Sequence, residues 1–294
     1  MLAILGPTAS GKTEAAIGVA KRIGAEILSV DSMQVYRGMD IGTAKPNVIE
    51  QQGIRHHMID VVDPESEFSV AEFRQQGRAV MISVDSPIII TGGSGLHFRA
   101  LVDPMSFPPT DPQLRSELER SQLADLVAEV TTADPDAGSH VDMANTRRVI
   151  RAVEILRLSG ETPSIRADSE EAGRFREYKP EIDFTAVGLD AEDATDPRIE
   201  GRLVQMREDG LTDEVRGLLG RMGRTARSAV GYRELADHLE GNSTEENAFR
   251  LTAGSTKKLA RKQRTWFRRD PRIRWIPWTE DVDERTDRAL EALS

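Results

Sequence analysis

The chain has 294 residues, 38% of them apolar and 30% charged, with a formal net charge of -10 and no cysteine. That length suits one large domain or two modest ones, and the lack of cysteine excludes disulfides, thiolate zinc sites and cysteine nucleophiles together. No run of about 18 apolar residues occurs, so no membrane-spanning segment is expected; the opening MLAILG is too short for a signal peptide, and a cytoplasmic protein is expected.

Leu2–Leu5 reads as a short buried strand. A glycine loop follows, then a helix on which Ala16, Val19, Ala20 and Ile23 share one face. Glu26–Val30 reads as the next strand, ending at Asp31, and Pro87–Thr91 as another, ending at Gly92-Gly93. Apolar strands alternating with helices predict an α/β fold with a parallel sheet covered on both faces. The composition changes near Pro104, where MSFPPTDP has linker character. Asp111 to Gly160 reads as several short helices, Arg166 to Glu181 as a second, polar linker, and Ile182–Leu189 as a strand, with the remainder helical. The expected organisation is a core of residues 1–105 and 181–294, interrupted by a small helical domain over 106–180. There is no internal repeat and no low-complexity segment.

Gly6-Pro7-Thr8-Ala9-Ser10-Gly11-Lys12-Thr13 matches the phosphate-loop pattern in full and lies after a strand and before a helix. The glycines let backbone N–H groups turn around an anion, and the helix N-terminus adds partial positive charge. Lys12 adds a full charge, and Thr13 is the expected ligand of a magnesium ion bridging phosphate oxygens. NTPases of this type usually place an acid at the end of a further apolar strand. Here Ile88-Ile89-Ile90-Thr91 runs into Gly92-Gly93-Ser94-Gly95 with no acid. That pattern favours a protein that grips a diphosphate and releases it.

Asp31, at the carboxyl end of its strand, is expected on the ligand crevice opposite the loop, where it can bind magnesium, cap the next turn or take a proton from a nucleophile. The segment after it, from Ser32 to Pro46, is dense in glycine and hydrogen-bonding side chains and reads as a recognition loop. Between Ser255 and Arg274 nine Lys or Arg stand against the single acid Asp270. This is either a phosphate-binding face or a solvated helix face. His56-His57 lack further ligands at metal spacing and read as structural. Trp266 and Phe267 face different ways on a helix, so at least one belongs to the core. Tyr232 reads equally as packing or as part of the site.

GPTASGKT, followed by SVDSMQVYRGMDIGTAKP, resembles the tRNA dimethylallyltransferases (isopentenyl diphosphate:tRNA transferases). Further matches are His56-His57-Met58-Ile59-Asp60, the FSVAEF beginning at Phe68, Gly92-Gly93-Ser94-Gly95-Leu96, the RRVIRAVE of Arg147–Glu154, the VGYRE beginning at Val230, and Gln263-Arg264-Thr265-Trp266-Phe267. The resemblance implies a P-loop core with an inserted helical domain. It also implies a reaction that prenylates the exocyclic N6 amine of the adenine beside the anticodon, adenosine 37, from dimethylallyl diphosphate. By position, it implies that Asp31 is the general base and that Thr8 and Arg202 contact the diphosphate. Asp31, Ser32, Met33 and Gln34, with Ser94 and the segment Arg147, Arg148, Val149, Ile150 and Arg151, fall on stretches that touch tRNA. Arg261 and Lys262 belong to the basic helix expected to hold its stem and loop. Ser94 and His97 depart from the family's usual Thr and Tyr. Magnesium is the expected cofactor; no protein partner is expected, and monomer is the default. The alternatives are an adenylate isopentenyltransferase acting on free AMP, ADP or ATP, a P-loop small-molecule kinase, and a non-catalytic RNA-binding protein.

Overall fold

The computed structural model describes residues 1–293. The chain separates into two compact units, Met1–Val102 with the chain from Ile182 onward, and Asp103–Glu181.

The first unit begins with β1 (Leu2–Leu5), α1 (Lys12–Ile23), β2 (Glu26–Ser29), β3 (His56–His57), α2 (Val70–Ser83), β4 (Ile88–Gly92) and α3 (Gly95–Val102). The second unit holds α4 (Pro112–Leu118), α5 (Leu123–Ala133), α6 (Thr146–Ser159), α7 (Pro163–Ala167) and α8 (Glu170–Arg176). The first unit then resumes with β5 (Thr185–Gly188), α9 (Thr195–Glu208), α10 (Leu211–Leu218), α11 (Arg224–Arg227), α12 (Tyr232–Leu239), α13 (Glu245–Phe267), β6 (Ile273–Trp275) and α14 (Val282–Leu293).

The six strands form one parallel sheet in the order β3-β2-β4-β1-β5-β6. β1, β2, β4 and β5 are apolar along most of their length because helices cover both faces. On one face Ala16, Val19 and Ala20 of α1 pack with Ile4, Ile27, Ile89 and Val187 of the strands and with Ala289 of α14. On the other, Leu5, Leu28 and Ile90 join Phe73, Phe98, Leu235 and Phe267. The register places Leu5 beside Gly92 and Ser29 beside Thr91, so the carboxyl ends of β1, β4 and β2 finish level. The loops that follow those ends therefore meet over one edge of the sheet.

The second unit has its own core, in which Leu118, Leu126, Val130, Val149, Ile150 and Val153 pack together. Its buried Glu154 accepts from Arg115, from Arg151 and from the Asp111 amide, and those partners hold its carboxyl below the usual range against the opposing effect of burial. The stretch that reads as a linker, Arg166 to Glu181, instead carries the end of α7 and all of α8. Thr162 and Ser169 cap those helices by accepting from the amides of Ile165 and Ala172, and Pro163 fills the first turn of α7. Near the chain end, β6 is a strand where the sequence predicts continuous helix; only three residues long, it pairs along β5 as the sheet's edge.

Candidate active site

Gly6 to Gly11 leave β1 and turn into α1, so the first turn of that helix points its free amides at the space above the sheet edge. Several side chains from distant parts of the sequence fix the loop. The Thr8 amide donates to Gln263 Oε1 at 2.8 Å, Arg198 Nε donates to the Ala9 carbonyl at 2.9 Å, and Lys12 Nζ reaches the Pro7 carbonyl at 3.1 Å. Arg202 donates to Thr8 Oγ1 at 3.3 Å.

The loop lines a cavity of about 1200 Å³ whose wall also includes Asp31, Met33, Gln34 and Arg202. Thus the predicted carboxylate and the predicted anion nest share one chamber. Asp31 Oδ1 accepts from the Met33 amide at 2.8 Å and the Gln34 amide at 3.3 Å, so the acid does cap the next turn. Both of these bonds go to Oδ1, and Oδ2 accepts none among the described residues.

Lys12 and Arg202 are both affected by burial, which pushes Lys12 down to about 8 and lowers Arg202, while the negative charge of Asp31 works the other way on each. At the loop two desolvated cations stand beside one carboxylate, a local positive charge suited to an anion, while the lining as a whole carries six cations and six acids. The lining also has an apolar part, Ile199, Leu203, Met206 and Leu211, which belong to one core cluster, with Ile41 packed against it. A volume of this size exceeds that of most small-molecule sites.

The recognition loop spends much of its hydrogen-bonding capacity on itself. Gln34 accepts from Ser29 and donates to the Thr43 and Ala44 carbonyls, while Lys45 ties the Tyr36 carbonyl to Asp40 and Asp60. Glu214 then gathers the amides of Asp40, Ile41 and Gly42 and accepts the Tyr232 hydroxyl at 2.5 Å. Tyr232 is fully buried, so of its two readings packing prevails. Phe267 is the core member of its pair, whereas Trp266 is partly buried against Gly95, where a Cβ would come within 1.9 Å of the indole. His57 bonds Glu26 and His56 the Ile54 carbonyl; His56 also lines the cavity, its Nε2 buried without a partner.

Ser94 and His97 form a pair, Oγ to Nδ1, at 2.7 Å. His97 is buried edge-on against Phe73, and burial pushes it down to about 4, so its ring is neutral at ordinary pH. Of the tRNA segment in the second unit, Arg147 and Arg148 are exposed. Arg151 is occupied by the Pro108 and Pro109 carbonyls and by Glu154. Val149 and Ile150 are corrected: both are buried in that unit's core, because consecutive positions on the inner face of α6 cannot also reach a ligand outside.

The basic run is also divided. Arg264 and Arg268 are drawn to the buried Asp190, Arg272 to Asp270 and Lys257 to Glu200. Lys258, Arg261, Lys262 and Arg269 are exposed on α13 and the turn after it, Arg261 with Asp196 at 3.9 Å, and Arg274 is exposed on β6. Another stripe of the same helix, Thr252, Thr256, Leu259 and Gln263, lines the cavity. Gln263, Arg198 and Glu214 carry no site role in the sequence reading. Their partners in the phosphate loop and in the Asp40–Gly42 turn lie 255, 189 and 172 to 174 residues away, too far for a local signal to mark those contacts.

The family model described as IPP transferase matches residues 34–270, a span that begins after both the phosphate loop and Asp31. The tRNA dimethylallyltransferase of Bifidobacterium animalis subsp. lactis is 42% identical over 290 residues, covering 94% of this chain and 82% of that one. The crystal structure of the tRNA isopentenylpyrophosphate transferase of Bacillus halodurans is 33% identical, superposes with a TM-score of 0.70, and is matched over 99% of this chain and 96% of that one. A eukaryotic dimethylallyltransferase crystallised acting on tRNA has the same fold, with a TM-score of 0.82 at 21% identity over 95% of this chain and 74% of that one. A P-loop-type parallel sheet with this cavity, matched by the family model over most of its length, places the chain in the IPP transferase family.

Proposed function

We propose that this protein transfers the dimethylallyl group of dimethylallyl diphosphate to the N6 amine of adenosine 37, next to the anticodon in tRNA. The observation that carries the reading is the single chamber shared by the anion nest, the Asp31 carboxylate and an apolar wall. Each matches one part of the reaction. The nest grips the diphosphate, the wall of Ile41, Ile199, Leu203, Met206 and Leu211 takes the prenyl tail, and Asp31 meets the nucleophile.

An adenine amine is a weak nucleophile because its lone pair is delocalised into the ring. As N6 bonds to the allylic carbon, the carbon–oxygen bond breaks and its electron pair leaves with diphosphate. The N6 proton goes to Asp31, a base contribution of about 10²–10⁴-fold. Charge growing on the leaving group is met by loop amides, Lys12 and Arg202, with Thr8 held under the Arg202 guanidinium. Magnesium is the proposed cofactor. Among the described residues no cluster of three or more His, Asp or Glu is placed to hold a metal. The single hydroxyl of Thr13 therefore fits an ion held chiefly by diphosphate oxygens and water. When bound, that ion neutralises charge on the departing diphosphate.

The adenine must leave its stack to reach Asp31, at a cost of a few kcal/mol that is smallest in an unpaired loop. The exposed cations of α13, including Arg261 and Lys262, and Arg147 and Arg148 of the second unit, are the proposed RNA contacts. No helix among the described residues is long and apolar enough to cross a membrane, and a cytoplasmic, monomeric enzyme is the proposed working form. Protein, magnesium, labelled dimethylallyl diphosphate and an anticodon stem–loop are mixed, with AMP as the competing acceptor. Label on the loop adenine, and little on AMP, is expected. Transfer to AMP alone, or ATP consumption unaffected by the prenyl donor, contradicts the reading.

A further inference from the structure

The phosphate loop is braced on its outer side by the last segment of the chain. Trp278 Nε1 donates to the Ser10 carbonyl at 2.9 Å, across 268 residues. Arg285, on α14, is 1% exposed, the bulkiest of the fully buried side chains. Its Nη1 donates to the Thr279 and Glu280 carbonyls at 2.6 and 3.0 Å, and its Nη2 to Glu14 Oε2 at 2.5 Å. Its Nε is buried without a hydrogen-bond partner. The guanidinium lies against Gly11, where a Cβ would come within 2.8 Å of it, and Gly11 has the left-handed φ of 78° that starts α1. Two guanidinium groups lie over the Trp278 ring, Arg198 at 5.4 Å and Arg285 at 5.7 Å from its centre. Arg285 does not line the cavity.

A buried cation at the positive end of a helix is unfavourable by itself. Glu14 offsets it from a half-exposed position. The buried guanidinium, with its Nε unpartnered and its counter-charge half in solvent, sits directly behind the turn that begins α1. We propose that Arg285 is a positioning residue for the diphosphate nest: through Gly11 and Trp278 it fixes the shape of the loop, and its charge favours an anion on the loop's other side. Glu14 tempers that field. The tail of the chain thereby sets how tightly the prenyl donor and the product diphosphate are held. This rests on the nest being the diphosphate site, which the wild-type measurement tests separately.

Binding of inorganic pyrophosphate with magnesium is measured by calorimetry for the wild type, Arg285→Met, Arg285→Lys, Glu14→Gln and Trp278→Phe, each checked for folding by circular dichroism. Arg285→Met is expected to bind about tenfold more weakly and to raise KM for dimethylallyl diphosphate in step, with KM for tRNA unchanged. Arg285→Lys recovers part of the loss. Glu14→Gln is expected to bind more tightly at low salt, in part because Glu14 itself lines the cavity; the recovery by Arg285→Lys, which restores charge but not shape, is the readout that a merely structural role for Arg285 does not predict. Should Arg285→Met fail to fold, Trp278→Phe, which keeps an aromatic ring but removes the donor to Ser10, is expected to weaken binding in the same direction. Folded Arg285→Met or Trp278→Phe with wild-type affinity, or Glu14→Gln shifting the same way as Arg285→Met, overturns the proposal. A wild type that does not bind pyrophosphate instead overturns the assignment of the nest.

Discussion

Arg202 Nη1 donates to Thr8 Oγ1 at 3.3 Å across 194 residues of sequence, joining the middle of α9 to the tip of the phosphate loop. Both side chains line the cavity. In the proposed reaction the pair holds a guanidinium where charge would develop as the carbon–oxygen bond breaks. Arg202→Gln is therefore expected to lower kcat/KM roughly 10²–10³-fold, with most of the loss in kcat. Thr8→Ala, which leaves the charge but loosens its seat, loses less. Steady-state kinetics with the prenyl donor varied distinguish these from a loss confined to KM.

The buried Lys12 gives a pH dependence with a definite sign. Burial holds it down to about 8 against an ordinary 10.5, partly opposed by Asp31. The folded protein thus holds fewer protons than the unfolded chain between those values. The lysine's stability contribution, complete above 10.5, is lost as pH falls through about 8. A bound anion acts oppositely and favours the charged form. Thermal stabilisation by pyrophosphate is expected to shrink from pH 7 to pH 9, and Lys12→Arg, charged throughout, is expected to lose much of that dependence. Melting curves across that range, with the ligand's own ionisation common to both proteins, provide the check.

Glu214 fastens the recognition loop through three consecutive amides and the Tyr232 hydroxyl, whose ionisation is pushed upward by burial and then by the Glu214 charge. Glu214→Ala unpairs all four donors. It is expected to destabilise the fold by about 1–3 kcal/mol and to speed amide exchange between Asp40 and Ala44. Tyr232→Phe keeps the amide contacts and is expected to cost less. Hydrogen exchange followed by mass spectrometry separates a local from a global effect.

The exposed face of α13 is expected to meet RNA phosphates. Replacing Arg261 and Lys262 with Gln should reduce the slope of log affinity against log salt by about one for each phosphate left without its cation, and the weakening should depend little on RNA sequence. Arg264→Gln should act differently, through stability, because Asp190 would lose its two bonds at 2.6 and 2.7 Å. Filter binding at several salt concentrations, set beside melting temperatures, tells the two apart.

The parts of this site that are local in sequence are legible there. The loop between Gly6 and Thr13 and the acid after β2 follow from short patterns whose physics is complete within a few residues. β1, β2, β4 and β5 can be placed to within a residue or a few at their ends, but the two-residue β3 leaves no strand pattern and the strand order cannot be read, since β4 lies between β1 and β2 only through long-range pairing. α8 reads as linker from its polarity, although Ser169 followed by Glu170 and Glu171 is a helix-start signal that outweighs it. β6 is hidden by its length and by Arg274 at its centre. Val149 and Ile150 fall inside a motif that matches as a block, yet the period of a helix turns them inward while Arg147 and Arg148 stay out. The braces on the loop, Gln263 and Arg198, need the fold itself, because neither residue type nor spacing marks a contact so distant in sequence.

The central claim is that Asp31 takes the proton of the attacking amine while the loop holds the leaving diphosphate. Single-turnover prenyl transfer by Asp31→Ala, with tRNA and pyrophosphate binding measured on the same preparation, tests it most directly. A fall in rate of about 10²–10⁴-fold with both affinities close to wild type is the expected result. Transfer at near wild-type rate by a variant that still binds both ligands would contradict it.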